Sequence, residues 1–500
     1  MSNYAPTIGL EIHAELKTKT KMFCDSLNDP EEKHPNTNVC PICAGHPGTL
    51  PVINKSAVEA VLKVGMALNG DIPQHSKFDR KNYFYPDLPK GYQISQYDLP
   101  LIFGGVLNGV RLTRIHLEED TGRLIHQLPM PTGRQAITNY QLPPASFVDL
   151  NRAGVPLMEL VSEPDIKSVE QAVEFAKELQ LILRYLGVSD ADMEKGQMRV
   201  EVNVSLRRTD AKQDAGQTRN LGTKVEVKNI NSFKAAHDAI QYEIERQAEV
   251  LEKGEKVVQE TRGWNDVKKK TVSQRLKEEA HDYRYFPEPD LPPLDLSKFD
   301  LRAIKISIPE LPKEKRARFA KEYGLAPEQI ELLIGDRETA RYFEETISEM
   351  AADNNASINE KIILAFNYFT SDLRGLLTEK ALSLSEAKIT PENFADLIEL
   401  ISVKKVSSRA AKDILRKMLE TGLDPNQILQ QENLSQVSGE NELKSIVEKV
   451  VKENPNAAAD YKKGKVNALQ FLVGKAMAEL KGRGNPEVLQ KIFRTILLPE

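Results

Sequence analysis

The sequence predicts an α+β chain: an antiparallel-sheet cradle domain with helices, followed by two small all-helical domains. Three observations carry this. Segments whose polarity alternates at every second residue fall within the first 290 positions. A proline-rich stretch, PEPDLPPLDL at 287–296, closes them. Beyond it, apolar residues recur at helical spacing. A chain of 500 residues exceeds what one compact core holds. The expected division is 1–294, 295–405 and 406–500.

Taken in order, TIGLEIHAEL alternates, with Leu10 and Ile12 on one face of a strand and Glu11 and His13 on the other. SVEQAVEFAKELQLILRYLG reads as a helix, opened by Ser168 and Gln171 at capping-box spacing and stopped by Gly187. RVEVNVSL is the clearest strand. Val200, Val202, Val204 and Leu206 share one face; Arg199, Glu201, Asn203 and Ser205 share the other. TKVEVKNI repeats the pattern with Val225 and Val227 inward. NSFKAAHDAIQYEIERQAEVLEKG is a second helix, from Asn231 or Ser232 to Gly254. A sheet with one polar face and helices on the other follows. Past the proline-rich stretch, KITPENFADLIELI and SSRAAKDILRKMLETG suggest helical domains meeting near 405.

Composition narrows the function classes. With 73 acidic and 68 basic residues the net charge is −5, which argues against coating nucleic acid along the whole chain but leaves room for a local basic patch. The first residues show no secretory or transit pattern, and no apolar run is long enough to cross a membrane. Three cysteines, an odd number, fit a reducing cytoplasm better than a disulfide framework. Neither a P-loop nor a G-x-S-x-G elbow occurs.

The chemistry-bearing stretches each admit two readings. HLEEDTGRLIH gathers Glu118, Glu119 and Asp120; with Glu11, His13 and the Glu159 of PLMELVSEPD they are either solvated acids or ligands for a cation such as Mg²⁺. Asp190, Asp192 and Glu194 of LGVSDADMEKGQMR are further acids, ligands or solvent-facing. FDRKNYFYPDLPKGYQISQ sets Arg80, Lys81 and Lys90 among aromatic rings, either a simple cluster or a phosphate and base platform. Cys24, Cys40 and Cys43 are either ordinary thiols or, with His34 or Asp25 as fourth ligand, a zinc site. The last forty residues hold eight Lys or Arg against three Glu. Lys465, Lys475, Lys481 and Arg483 there are either a solvated face or contacts for a phosphate backbone.

Together these stretches resemble a known family. GLEIHAELKTKTKMFC, CPICAGHPGTLPVINK, FDRKNYFYPDLPKGYQISQ, HLEEDTGRLIH, DLNRAGVPLMELVSEPD, VEVKNINSF and EAHDYRYFPEPDLPPL stand in the order seen in the B subunits of aspartyl/glutamyl-tRNA(Asn/Gln) amidotransferases. GKVNALQFLVGKAMAELKGRGNP resembles that family's tRNA-binding tail. The resemblance implies ATP and Mg²⁺ as cofactors. Its partners would be an amidase, the A subunit, with a small C subunit, and its substrate tRNA(Gln) or tRNA(Asn) misacylated with Glu or Asp. It implies His13, Glu118 and Glu159 as metal ligands, with Glu11, Lys81, Glu119 and Arg199 in catalysis, and a cytoplasmic heterotrimer. Two departures stand out. CDS replaces the C-x-C pair with which relatives hold zinc, so zinc is not expected, and RVEVNVS replaces RCDANVS, putting Glu201 for Asp. An archaeal-type relative is disfavoured because its inserted domain has no counterpart here. A non-catalytic tRNA-binding scaffold is the alternative from another class.

Overall fold

The computed structural model describes residues 3–125, 146–209, 221–276, 283–350, 358–432, 440–480 and 484–498. The chain forms two compact units, Met1–Pro312 and Lys313–Glu500. The first is an α+β unit. Its strands are β1 (Tyr4–Glu15), β2 (Asp79–Asn82), β3 (Tyr92–Ser95), β4 (Val110–Glu119), β5 (Pro156–Ser162), β6 (Met198–Arg208), β7 (Val225–Ile230), β8 (Glu260–Asn265) and β9 (Lys270–Leu276). The main sheet runs β9-β8-β7-β6-β1-β5-β4 and ends on the short strand Ile102–Phe103. The pairings along it are antiparallel except β7 with β8, which run parallel. Helix α3 (Phe233–Glu252) supplies the crossover that a parallel pair requires.

Alternation decides which face of this sheet is covered. Ile12 stands opposite Val200 on one side and Leu160 on the other, and Leu160 stands opposite Ile115. These side chains are buried in one apolar cluster with α1 (Lys55–Ala67), α2 (Val169–Leu186) and α3. The predicted helix boundaries hold because their caps are chemically specified. Ser168 Oγ accepts from the Gln171 N–H at 3.1 Å, and Gly187 closes α2 at φ 69°, a conformation costly for residues with a Cβ. Ser232 caps α3 in the same way.

A second, small sheet of β3, β2 and Phe286–Pro287 lies beside the main one. It brings the FDRKNYFYPD stretch against β4. The first core also keeps the chain beyond 294: Leu294–Asp295 pairs with His75–Ser76, and Leu301, Ile304, Ile308 and Leu311 pack on the cluster.

The second unit is helical throughout its described residues. One apolar cluster runs from Phe319 to Leu429 and another from Leu443 to Leu497. Position 405 falls inside the first of these, because Ile398 and Ile414, from helices on either side of it, are buried in the same cluster. Lys361, fully buried, is neutralised by Glu399 at 2.7 Å.

Phe175, fully buried between α2 and the sheet, tests this packing. Phe175→Ala is expected to destabilise the first unit by about 3–5 kcal/mol, read as a drop in the midpoint of its unfolding transition in urea.

Candidate active site

The face of the sheet turned away from the helices carries the charged residues, and strand register puts them in line. His13 stands directly opposite Arg199 on β6 and Glu159 on β5, and Glu159 stands opposite His116 on β4. Arg199, His13, Glu159 and His116 therefore form one row across four strands. Glu11 and Glu201 face each other in the neighbouring position, two residues along. Glu118 lies two residues beyond His116, on the same face.

Distances follow from this register. His13 Nε2 is 3.2 Å from Glu159 Oε2 and 3.7 Å from Glu118 Oε1. His116 Nε2 is 3.3 Å from the same Glu159 oxygen, and Arg114 Nη2 is 3.6 Å from the other. Ser95 Oγ donates to Glu118 at 3.0 Å. The expected trio of His13, Glu118 and Glu159 thus converges although its members come from three strands. The stretch 78–96 overhangs them, with Lys81 Nζ 4.0 Å from Glu118 Oε2 and 5.4 Å from the Tyr283 ring centroid. A cavity of about 170 Å³ remains, lined among others by Glu11, His13, Lys81, Glu118, Arg199 and Lys228.

Protonation reflects the crowding of charge. Burial, then the Glu159 carboxylate, pushes Glu11 up to about 7. Burial pulls His13 down, but the hydrogen bond to Glu159 and the charges of Glu159 and Glu118 prevail and raise it to about 9. Burial also acts against Glu159, yet His116 and His13 hold it well below the usual carboxylate range. Neighbouring cations offset the acids. Arg199 is raised by Asp120, 2.8 Å away, and Asp120 is lowered in return despite its burial. Lys228, 2.8 Å from Glu201, stays charged against the cost of its burial. Lys81 does so mainly through Glu118.

The donor set fits a divalent cation. Ligand atoms of Glu11, His13 and Glu159 lie within 4.8 Å of one another, as do those of His116, Glu118 and Glu159. Carboxylate oxygens with one or two imidazoles suit Mg²⁺ or Mn²⁺. The overlap of the two groups at Glu159 makes that residue the hub.

Some expected residues do not join. Glu119 points away from the cavity: its carboxylate is bound by Lys90 and accepts from the Ile94 N–H at 2.9 Å. Neighbouring residues on a strand face opposite sides, so Glu118 and Glu119 could not both enter. Asp190 pairs with Lys17, and Asp192 accepts from the N–H groups of Glu194 and Lys195. In the tail, Lys465 pairs with Asp460 at 3.1 Å and Lys475 lies over the Phe471 ring; Lys481 and Arg483 lie outside the described residues. Conversely, His116, Lys228 and Glu226 were not singled out from sequence. Counting back two positions from Glu118 finds His116, and the alternation of VEVKNI puts Glu226 and Lys228 on one face; those signals were present.

The zinc implied by the family fits poorly. Cys24, Cys40 and Cys43 do converge, but among the described residues neither His34 nor Asp25 belongs to the group, and His34 is engaged with Glu32 at 2.8 Å. The fourth place is held by Ser26, whose Oγ is 3.5 Å from Cys43 Sγ.

With this geometry in place, similarity to known proteins decides the family. A family profile described as GatB/GatE catalytic domain matches residues 6–301, and one described as GatB domain matches 341–497. This chain belongs to the family of aspartyl/glutamyl-tRNA(Asn/Gln) amidotransferase B subunits. It is 44% identical to the B subunit of Carboxydothermus hydrogenoformans and to that of Persephonella marina. It is 45% identical to the B subunit of Thermomicrobium roseum; each comparison covers 99% of both chains. No described helix is long and apolar enough to cross a membrane.

The raised His13 gives a pH prediction. Without a cation, its protonated form contributes stability that is complete below its ordinary value of 6.5 and lost as pH rises through about 9. A cation bound at Nε2 must displace that proton. Apparent Mn²⁺ affinity should therefore climb with pH up to about 9, by up to roughly tenfold per unit, and His13→Gln should flatten the profile. Calorimetric titration at stepped pH checks both.

Proposed function

We propose that this chain uses ATP and Mg²⁺ to phosphorylate the side-chain carboxylate of Glu-tRNA(Gln) or Asp-tRNA(Asn), and amidates it with ammonia supplied by a partner amidase. A small third protein completes the assembly, in the cytoplasm. The observation that supports this best is the cavity lined by His13 and Glu118 together with Lys81, Arg199 and Lys228, with Glu159 bound to His13 beside it. Acids beside cations in one hollow suit a reaction in which a phosphate and a carboxylate must be brought together against their own repulsion.

A carboxylate is a poor electrophile because its leaving group would be an oxide. Attack of a carboxylate oxygen on the terminal phosphorus breaks the bond to ADP and leaves an acyl phosphate. Ammonia then attacks the carbonyl carbon, phosphate departs with the bonding pair, and one N–H proton must be removed. Mg²⁺ held by His13, Glu118 and Glu159 would supply charge neutralisation at the phosphates. Lys81 and Arg199 would bind phosphate or carboxylate oxygens. Glu11, raised to about 7, is suited to accept the proton near neutral pH. Asp120 fixes the Arg199 guanidinium at the cavity wall. Lys465, Lys475, Lys481 and Arg483 are proposed contacts for the tRNA backbone.

Glu118→Ala in the assembled complex is expected to cut amidation by at least about a hundredfold, with the partner's glutaminase activity partly retained. Unimpaired amidation by that variant would remove the metal assignment. If the assembled complex with misacylated tRNA shows no Mg²⁺-dependent ATP turnover, the scaffold alternative takes its place. Ending the chain at residue 439 removes the cluster from Leu443 to Leu497 and leaves that from Phe319 to Leu429 whole. It should weaken tRNA binding by roughly tenfold or more and lower the slope of affinity against salt, measured by filter binding; unaltered affinity would free the tail of that role.

A further inference from the structure

The three thiols meet in a place the proposed chemistry leaves unused. Cys43 Sγ stands 3.5 Å from Cys40 Sγ and 3.6 Å from Cys24 Sγ, and accepts from the Cys40 N–H at 3.3 Å. Cys43 is buried, whereas Cys24 and Cys40 are partly open to solvent. Beside them Lys21 has no exposed surface. Its ammonium donates to the carbonyls of Asn38 at 2.6 Å and Leu150 at 3.1 Å. Carbonyls do not neutralise a charge; burial pulls the Lys21 ammonium down, and the sulfurs beside it, Cys43 foremost, act against that. A buried ammonium with thiols for counterions favours the thiolate. Cys43 is the residue so favoured: the Cys24 S–H first, then Ser26, the Cys40 N–H and Lys21, hold it down to about 4 against its burial.

We propose that the CPIC stretch is a reversible oxidation site at which Cys40 and Cys43 close to a disulfide when a hydroperoxide reaches Cys40. The sulfur of Cys40 takes the terminal peroxide oxygen and becomes a sulfenic acid; the peroxide is reduced to the alcohol, or to water. The proton of the Cys40 thiol goes to the departing alkoxide or hydroxide; the Cys43 thiolate then attacks the Cys40 sulfur, and the S–O bond breaks with loss of hydroxide, which takes up the proton that Cys43 released on ionising. Two thiols and one hydroperoxide give one disulfide, one water and one alcohol or second water. The two sulfurs need to approach from 3.5 Å to about 2.05 Å, a movement the turn between them is short enough to allow.

The consequence reaches the cavity through backbone contacts. A disulfide removes the anion facing Lys21, whose ammonium is bound to Leu150. The same loop is tied to the segment that carries Lys21 and Cys24, and to the site: Met22 N–H donates to Gly154 O at 2.7 Å, and Gly154 N–H donates to Asp120 O at 2.9 Å. Arg152, within the loop, lies 3.7 Å from Asp120 Oδ2. Oxidation is thus expected to disturb the Asp120–Arg199 pair and lower activity.

The test is peptide mass spectrometry of the full chain after equimolar hydrogen peroxide and alkylation. The expected product is a Cys40–Cys43 disulfide with Cys24 alkylated, reversed by dithiothreitol and formed equally in Cys24→Ser. In Cys43→Ser, Cys40 should stop at the sulfenic acid with one equivalent of peroxide and proceed to sulfinic acid with a second. One tightly bound zinc per purified chain, with all three thiols resisting peroxide, would overturn the proposal, as would a Cys24–Cys43 link. A second arm, resting on the function proposed above, measures amidation by the assembled complex before oxidation, after it, and after reduction; a reversible loss of severalfold is expected, and unchanged amidation by fully disulfide-bonded enzyme would overturn the link to the cavity. Because the disulfide is read by mass, its absence is distinguishable from any failure of the functional reading.

Discussion

The interaction on which the first unit depends is the set of charge pairs stacked across the face of its sheet turned away from the helices. Glu11, Glu118, Glu159, Glu201 and Asp120 lie within a few residue positions of one another, at low exposure for acids. Like charges at such spacing repel by several kcal/mol when water is scarce. What makes the arrangement tenable is equally local. His13 and His116 bracket Glu159, Arg199 holds Asp120, Lys228 holds Glu201, and Lys81 faces Glu118.

That balance is a property of strand register. In an antiparallel pair, directly opposed residues share a face, so a row of four side chains from four strands needs every register to be right at once. A one-residue slip of β1 would send Glu11 and His13 into the apolar cluster and Ile12 into the charged face. The cost of both errors together is what pins the register. Ile12, Val200, Leu160 and Ile115 form the matching apolar row on the covered side, so the core that stabilises the sheet also aims the site. Glu119 shows the same rule from the other side: one residue from Glu118, it faces away and is bound by Lys90.

The thiol cluster obeys a different economy of charge. There, burial works against the Lys21 ammonium, and the groups that favour its charge are sulfurs, Cys43 foremost, rather than carboxylates. The loop from Leu150 to Gly154 touches both this cluster and Asp120, so two chemically distinct groups share one short piece of backbone.

The sequence by itself determined the α+β class, the two capped helices around Ser168 and Ser232, the polar and apolar faces of the strands, and the grouping of Glu11 with His13. Each follows from interactions between residues close in the chain: alternation, caps and turn residues. The residues offered Glu118, its neighbours and Glu159 as further candidate ligands, and the resemblance in motif order implied His13, Glu118 and Glu159 among them. Only the tertiary structure decided what meets across strands. It set Glu159 between His13 and His116, paired Lys228 with Glu201 and Arg199 with Asp120, kept residues 295–311 on the first core and drew three cysteines around one buried lysine. Those outcomes depend on which strands neighbour one another and in what register. That choice is set by burying the apolar face of the whole sheet at once, and no local pattern encodes it.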